Sequence, residues 1–333
     1  MKWTMKAVST VAIGATATLI LASCSGGTGG SGSGDASGDA GDEAYRIAFV
    51  QGVAGDEFYI SMECGIKEAA EAAGATVDVQ GPAEFDPTLQ KPIVDAIVGS
   101  APDALLIAPT DVTAMQAPIQ AAADAGIEVV LVDTTLEDPS MAVSQIASDN
   151  YGGGAAAFEA IQEAHPDGGK VLVVSIDPGI STSDARGEGF EAAVAEDPAF
   201  ESLGIEYSHN QPAEAARIVT AALQANPDIV GIFAANLFAA EGTATGVQQA
   251  GKQGEITVVG FDAGPAQVQA LKDGIVQALV AQEPATIGKE GVAQALAALN
   301  GESVEEEIQT GFTIITADNV DGDAAEAIYQ SSC

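Results

Sequence analysis

The 333-residue chain carries 48 Asp and Glu against 11 Lys and Arg, for a formal net charge of −37 at pH 7. So acidic a surface repels phosphate backbones and anionic headgroups, which excludes nucleic acid as a partner and direct adsorption to a membrane surface. There are 3 cysteines and 2 histidines, and Cys64 has no Cys or His at ligand spacing, so neither a metal nor a cofactor is expected.

In chain order, Lys2 and Lys6 give a basic start, and an apolar run from Ala7 to Ala22 closes on Leu21-Ala22-Ser23-Cys24. The run is shorter than the ~20 residues of a membrane span and has the layout of a secretory signal. Its end resembles the lipobox of lipoprotein signal peptides. Residues 1–23 are therefore expected to be removed and Cys24 acylated, anchoring the domain to the outer face of the cell membrane. The alternative, an uncleaved N-terminal anchor, leaves the domain on the same side. Residues 24–43 are mostly Gly, Ser, Asp and Ala, too poor in apolar surface to fold, and read as a flexible tether.

From Ala44 the remainder is long enough for two cores. Strand candidates fall at 46–50, 76–79, 104–107, 128–132, 170–175, 205–208, 229–233, 257–261 and 276–280. Helix candidates between them fall at 58–73, 89–98, 113–125, 152–163, 183–195, 213–225, 237–250, 265–272 and 287–299. This alternation predicts right-handed βαβ crossovers and parallel sheets. It breaks near Ala147 to Gly154, where three consecutive glycines imply close backbone approach or a flexible connection, read as the first passage between two α/β lobes. Parallel sheets place ligands outside the carboxyl ends of their strands, so two facing lobes form a cleft that closes on its ligand.

With Cys24 acylated, Cys64 and Cys333 are left as an even pair in an oxidising compartment. In the 58–73 helix, Cys64 projects about 160–200° from the face of Met62, Ile66, Ala69, Ala70 and Ala73, within reach of a C-terminal tail. A Cys64–Cys333 disulfide is expected; two unpaired thiols are the alternative.

Five strings come next: Ala108-Pro109-Thr110-Asp111, Ala147-Ser148-Asp149-Asn150, Arg186-Gly187-Glu188-Gly189-Phe190, Val258-Val259-Gly260-Phe261-Asp262 and Ala281-Gln282. In this order and spacing they resemble the ribose-binding branch of the type I periplasmic binding proteins along nearly the whole mature chain. The resemblance implies two Rossmann-like α/β lobes with parallel sheets, joined by a three-crossing hinge near Ser144–Ser148, near Gln282 and near residues 309–312. The N-terminal lobe would combine 44–145 with 283–310, and the C-terminal lobe 146–282 with 311–333. It further implies capture of a small sugar-like solute for an ABC permease, by a monomer in the family's usual state. Repressors built on the same lobes carry an N-terminal helix-turn-helix, which this chain replaces with the signal.

The implied ligand set is Asp56, Phe58, Tyr59, Asp133, Thr134, Asp184, Asn236, Asp262 and Gln282. Phe58 and Tyr59 would stack on the C–H face of a sugar while carboxylates and amides meet its hydroxyls. A core staple for the two aromatics, and capping roles for Asp133, Thr134 and Asp262, are the alternatives. Three positions depart from the ribose pattern: Thr134 and Asp184 where it has Arg, and Ala215 where it has Phe. These changes argue against ribose itself. Arg186 matches a structural position and is expected in a salt bridge. A neutral monosaccharide or polyol is the first expectation, and a cationic ligand the second, given Asp56, Asp133, Asp184 and Asp262.

An enzyme would need a held acid, base or nucleophile. His165 and His209 both sit in turn-like segments, and no Gly-x-Ser-x-Gly elbow, phosphate loop or paired-His motif is present. A carboxylate pair such as Asp133 and Asp262 could cleave a glycoside in principle. A sensor subunit presenting its solute to a membrane kinase is the alternative to transport.

Overall fold

Runs such as Ala104-Leu105-Leu106-Ile107 are buried throughout, which a strand achieves only when helices cover both faces of its sheet. The computed structural model describes residues 44–333. In chain order it runs β1 (Arg46–Val50), α1 (Glu57–Ala72), β2 (Thr76–Gln80), α2 (Pro87–Ser100), β3 (Ala104–Ile107), α3 (Gln116–Asp124), β4 (Glu128–Val132) and β5 (Ser144–Ser148). It continues α4 (Asn150–Ala164), β6 (Gly169–Ser175), α5 (Ser181–Glu196), β7 (Phe200–Tyr207), α6 (Pro212–Ala225), β8 (Ile229–Ala234), α7 (Leu237–Gln249), β9 (Thr257–Phe261), α8 (Pro265–Lys272) and β10 (Ala278–Gln282). It ends α9 (Pro284–Leu299), β11 (Glu307–Thr310), β12 (Phe312–Thr316) and a single 3-10 turn at Ala325–Ala327.

Two six-stranded sheets result. The first has the order β11-β5-β4-β3-β1-β2 and is parallel throughout; the second, β12-β10-β9-β8-β6-β7, is parallel except for β12 against β10. The chain passes between the sheets after β5, at Glu283 between β10 and α9, and at Gly311 between β11 and β12. These crossings are laced together: Asp149 N donates to Thr310 O at 2.9 Å, and Ser148 Oγ donates to Gln282 Oε1 at 2.8 Å. A lobe boundary at residue 145 would cut β5 in two; the whole strand belongs to the first sheet, so the passage falls after Ser148.

Strands β5, β11 and β12 escaped the apolar-run criterion because hinge strands carry Ser, Gln and Thr and are half-buried. β10 begins at Ala278 rather than Val276, because Gly274, at φ 69°, makes a turn that packs Ile275 and Val276 as a loop. Helix α3 starts at Gln116, not Thr113, because Asp111 Oδ1 accepts from Thr113 N (2.9 Å) and Ala114 N (2.6 Å) and holds them in a separate turn.

The three glycines lie inside α4, where they give close approach rather than a loose link. A Cβ on Gly154 would stand 2.0 Å from Arg186 O on α5, and one on Gly189 would stand 2.0 Å from Tyr151 O on α4. The helix pair thus meets backbone to backbone at two glycines, and neither side can yield. Gly189→Ala is expected to cost about 1–3 kcal/mol, the usual toll of overpacking. Urea unfolding would show it as a lower midpoint at constant slope, and an unchanged midpoint would refute the close crossing.

Cys64 and Cys333 are joined by a disulfide with their Cα atoms 5.3 Å apart, so the C-terminus is bonded to α1. Among the described residues no helix is long and apolar enough to cross a membrane. Cys24 and the segment 1–43 lie outside the described residues.

Candidate functional site

Every loop facing the cleft leaves the carboxyl end of a strand, where parallel sheets gather ligand-binding groups. From the first lobe come Asp56, Phe58 and Tyr59 at the start of α1, Phe85 beyond β2, and Asp133 after β4. From the second come Ile176, Ile180, Thr182, Ser183 and Arg186 around the start of α5, Asn210 after β7, Asn236 after β8, Asp262 after β9, and Gln282 closing β10. Together they line one cavity between the lobes. On one rim the lobes touch: Val112 N donates to Gly179 O at 3.1 Å, and Thr135 N donates to Ser181 Oγ at 3.0 Å.

Asp133 and Asp262 hold equivalent places in the two lobes. Each directly follows the last residue of a central strand, β4 or β9, at φ 65° and 79°, and donates its N–H to the neighbouring strand (Ile146 O and Val280 O, both 2.8 Å). Asp tolerates this left-handed backbone better than most residues. The conformation turns both carboxyls into the cavity. Asp133 Oδ2 accepts from Tyr59 OH at 2.7 Å. Asp262 Oδ1 accepts from Gln282 Nε2 (2.7 Å) and Tyr329 OH (3.0 Å), and Oδ2 from Leu237 N (2.9 Å). Asp56 caps α1 through Phe58 N at 2.8 Å, and Asn236 caps α7 through Ala239 N at 3.1 Å while donating to Asn210 Oδ1 at 2.7 Å. Capping thus coexists with cavity lining at both positions. Phe58 and Tyr59 meet edge to face, ring centres 5.1 Å apart, and both line the cavity.

Three expectations need correction. Asp184 turns away: its carboxylate accepts Gly179 N at 2.9 Å and does not line the cavity. Thr134 spends its hydroxyl on Pro109 O at 2.7 Å and borders a separate hollow beside β5. Arg186, expected in a salt bridge, has no carboxylate partner among the described residues; Nε donates to Asn150 Oδ1 (2.8 Å), Nη1 to Ala235 O (2.9 Å), and the guanidinium lies 3.7 Å over the Phe261 ring. Fixed by these contacts, it presents its remaining edge to the cavity. Ala215 is buried against α7, where a Cβ on Gly242 would come within 2.5 Å of it, and the additional cavity aromatic is Phe85.

Sequence reasoning also missed Ser183, whose hydroxyl is buried without a hydrogen-bond partner. No short motif marks it. His165 pairs with Thr257 Oγ1 at 2.9 Å and His209 with Asp177 at 2.6 Å, both away from the cavity. Among the described residues no cluster of His, Cys, Asp and Glu is placed to hold a metal.

Burial pushes the Asp133 carboxyl up to about 6, with Asp262 adding to the rise and with Arg186 and the Tyr59 hydroxyl opposing it. Asp56 is raised well above the carboxylate range, by burial first and Asp262 next. A folded-state value above the unfolded one means the stabilising contribution is full below the unfolded pKa and is lost as pH rises through the folded one. Between pH 4 and 7 Asp133 alone should therefore remove about 2 kcal/mol from the ligand-free protein. Asp133→Asn should flatten that part of the profile in urea titrations at pH 4, 5, 6 and 7; parallel profiles for parent and variant would rule the assignment out.

Residues 47–303 match the family model described as a periplasmic binding protein domain. The ribose import binding protein of Salmonella typhimurium is 33% identical over 259 residues, covering 78% of this chain and 86% of that one. The D-ribose/D-allose-binding protein of Pseudomonas aeruginosa is 31% identical over 291 residues, covering 83% and 90%. Among solved structures, an ABC transporter solute-binding protein from Agrobacterium vitis bound with α-D-tagatopyranose superposes with a TM-score of 0.84 at 43% identity, covering 86% of this chain and 99% of that one. A second from the same organism, with bound D-fucose, gives 0.82 at 31% identity, covering 86% and 100%.

Proposed function

The chain belongs to the periplasmic binding protein family, and on that premise we propose that its interlobe cavity captures one neutral monosaccharide, a hexopyranose ahead of ribose, for delivery to an ABC importer outside the cytoplasm. The observation that carries this reading is the composition of the cavity wall. Three buried carboxylates, two amides of Asn, one of Gln, an anchored guanidinium and an unpaired hydroxyl surround two aromatic rings at the mouth of α1. A ring sugar offers matching hydroxyls to such acceptors and a C–H face to the rings. The carboxylates accept from sugar hydroxyls, Arg186 and Gln282 donate, and the hinge strands let the second lobe shut over the first. Delivery follows when the importer draws the lobes apart. Acylation of Cys24 would hold the protein at the membrane while residues 24–43 give it reach.

The preference for a hexopyranose over ribose has two supports. None of the three positions that depart from the ribose pattern, Thr134, Asp184 and Ala215, lines the cavity, so the two Arg forks and the Phe of that pattern have no counterpart there. The structural relative at 43% identity holds a hexopyranose.

Thermal shift with D-tagatose, D-allose, D-fucose, D-ribose and glucosamine tests the reading. A sugar at 100 times its Kd adds about 2.7 kcal/mol to stability and should raise the midpoint by several degrees. A shift with glucosamine alone would move the assignment to cationic ligands; no shift with any would remove the sugar-binding reading.

Ser183→Ala separates a ligand contact from a structural hydroxyl. Removing an unpaired buried hydroxyl should leave the ligand-free midpoint unchanged or higher, while weakening the sugar about five- to tenfold, the worth of one hydrogen bond. The opposite pattern, a lower midpoint and an unchanged Kd, would assign Ser183 to the scaffold.

A further inference from the structure

Beyond β12 the chain packs Val320 and Ala324 into the second lobe and pairs Lys272 with Asp321 at 2.6 Å. Tyr329 N then donates to Ala263 O at 3.0 Å, still in the second lobe. One residue later the partner changes: Gln330 N donates to Ser61 Oγ at 2.8 Å, on α1 of the first lobe. Cys333 ends on the same helix, bonded to Cys64. The tail is therefore a fourth passage between the lobes, separate from the three strand crossings and the one closed by a covalent bond between side chains.

What this passage delivers is one phenol. Tyr329 is buried, its ring centre 6.0 Å from that of Phe58. Its hydroxyl accepts from Gln282 N at 2.9 Å and donates to Asp262 Oδ1 at 3.0 Å. Tyr329 does not itself line the cavity, yet it touches three residues that do: Phe58 from the first lobe, Asp262 from the second and Gln282 from the hinge. Asp262 Oδ1 holds two donors, Gln282 Nε2 and the phenol, and with Leu237 N on Oδ2 these three fix the carboxylate in one orientation. Burial raises the phenol well above its ordinary pKa, so it stays protonated and remains a donor.

We propose that the C-terminal tail is part of the ligand site, with Tyr329 as a positioning residue that fixes the Asp262 carboxylate and the Cys64–Cys333 bond holding that residue in register across the two lobes. This rests on the sugar-binding reading above. Losing this hydrogen bond leaves the Asp262 carboxylate held by Gln282 Nε2 and Leu237 N alone and the Gln282 N–H without its acceptor, so the acceptor edge offered to the ligand is less firmly placed. The crosslink acts on the same residue from the other end, since it stops the last residues of the chain from leaving α1.

The test is a set of dissociation constants measured by calorimetry with D-tagatose, D-allose, D-fucose and D-ribose. Tyr329→Phe keeps the ring and the fold and removes only the hydroxyl. Binding should weaken about tenfold or more, as for other hydrogen bonds to charged groups. In an Asp262→Asn background the same change should alter Kd less than twofold, because the group being positioned is gone. A hydroxyl with only a packing role would weaken binding by the same factor in both backgrounds, and that result overturns the proposal. Cys64→Ser with Cys333→Ser should weaken binding several-fold in the parent and add nothing to Tyr329→Phe; equal effects in both would detach the crosslink from the site and overturn its part. A parent protein that binds one of the four sugars while Tyr329→Phe binds it equally well refutes the inference alone. A parent that binds none refutes the sugar-binding reading and the inference with it.

Discussion

Asp262→Ala is expected to weaken monosaccharide binding at least 100-fold, the largest effect of any single substitution in the cavity. The carboxylate accepts three protein donors, Gln282 Nε2, Tyr329 OH and Leu237 N, and is buried. On the proposed reading its loss removes a charge-assisted contact to the sugar, worth about 1.5–3 kcal/mol, and frees Gln282 from its place in the cavity wall. Together these reach about 3–5 kcal/mol, or about two to four decades in Kd. The three orphaned donors cost stability as well, so the midpoint should fall without sugar. Calorimetry on the folded variant decides the matter: a loss smaller than fivefold would mean that Asp262 serves the fold and not the ligand.

The second large effect is on stability. Cys64 and Cys333 are separated by 269 residues, so their bond closes nearly the whole folded chain. In the chain-entropy model so long a loop is worth about 5 kcal/mol, as an upper value. Replacing both cysteines by Ser should lower the urea midpoint substantially. It should also raise the slope, because an uncrosslinked denatured chain exposes more surface. A changed midpoint at constant slope would place the effect in the native packing of the tail; no change in either would show that the crosslink does not constrain the denatured state.

How much of this was legible in the residues differs by level. The two-lobe architecture was readable because central strands such as β3 and β9 are unbroken apolar runs and the intervening helices have clear length and period. The hinge strands were not, since residues such as Ser148, Gln282 and Thr310 are chosen for hydrogen bonds between crossings rather than for burial in a covered sheet. At the site, seven residues that the family resemblance pointed to, Asp56, Phe58, Tyr59, Asp133, Asn236, Asp262 and Gln282, line the cavity. Departures came at Thr134, whose hydroxyl turns to Pro109 O, and in the first two turns of α5, where helical geometry decides which side chain faces inward. There Asp184 points back at Gly179, and Ser183 and Arg186 face the cleft, a matter of 100° per residue that no composition rule resolves without the helix start. Tyr329 was invisible for another reason. Its partners lie 47 and 67 residues away in sequence and on a different lobe from its final anchor, a relation only the folded tail creates.

The two rim hydrogen bonds, Val112 to Gly179 and Thr135 to Ser181, bear on dwell time as well as affinity. At about 0.5–1.5 kcal/mol each they favour the shut arrangement by roughly one to two decades. A latch of that strength slows escape of a captured solute without making it permanent. The off-rate of a poorly matched solute would then be set mostly by the latch, and that of a well-matched one by the cavity wall, so discrimination between solutes is exercised in the time each stays bound.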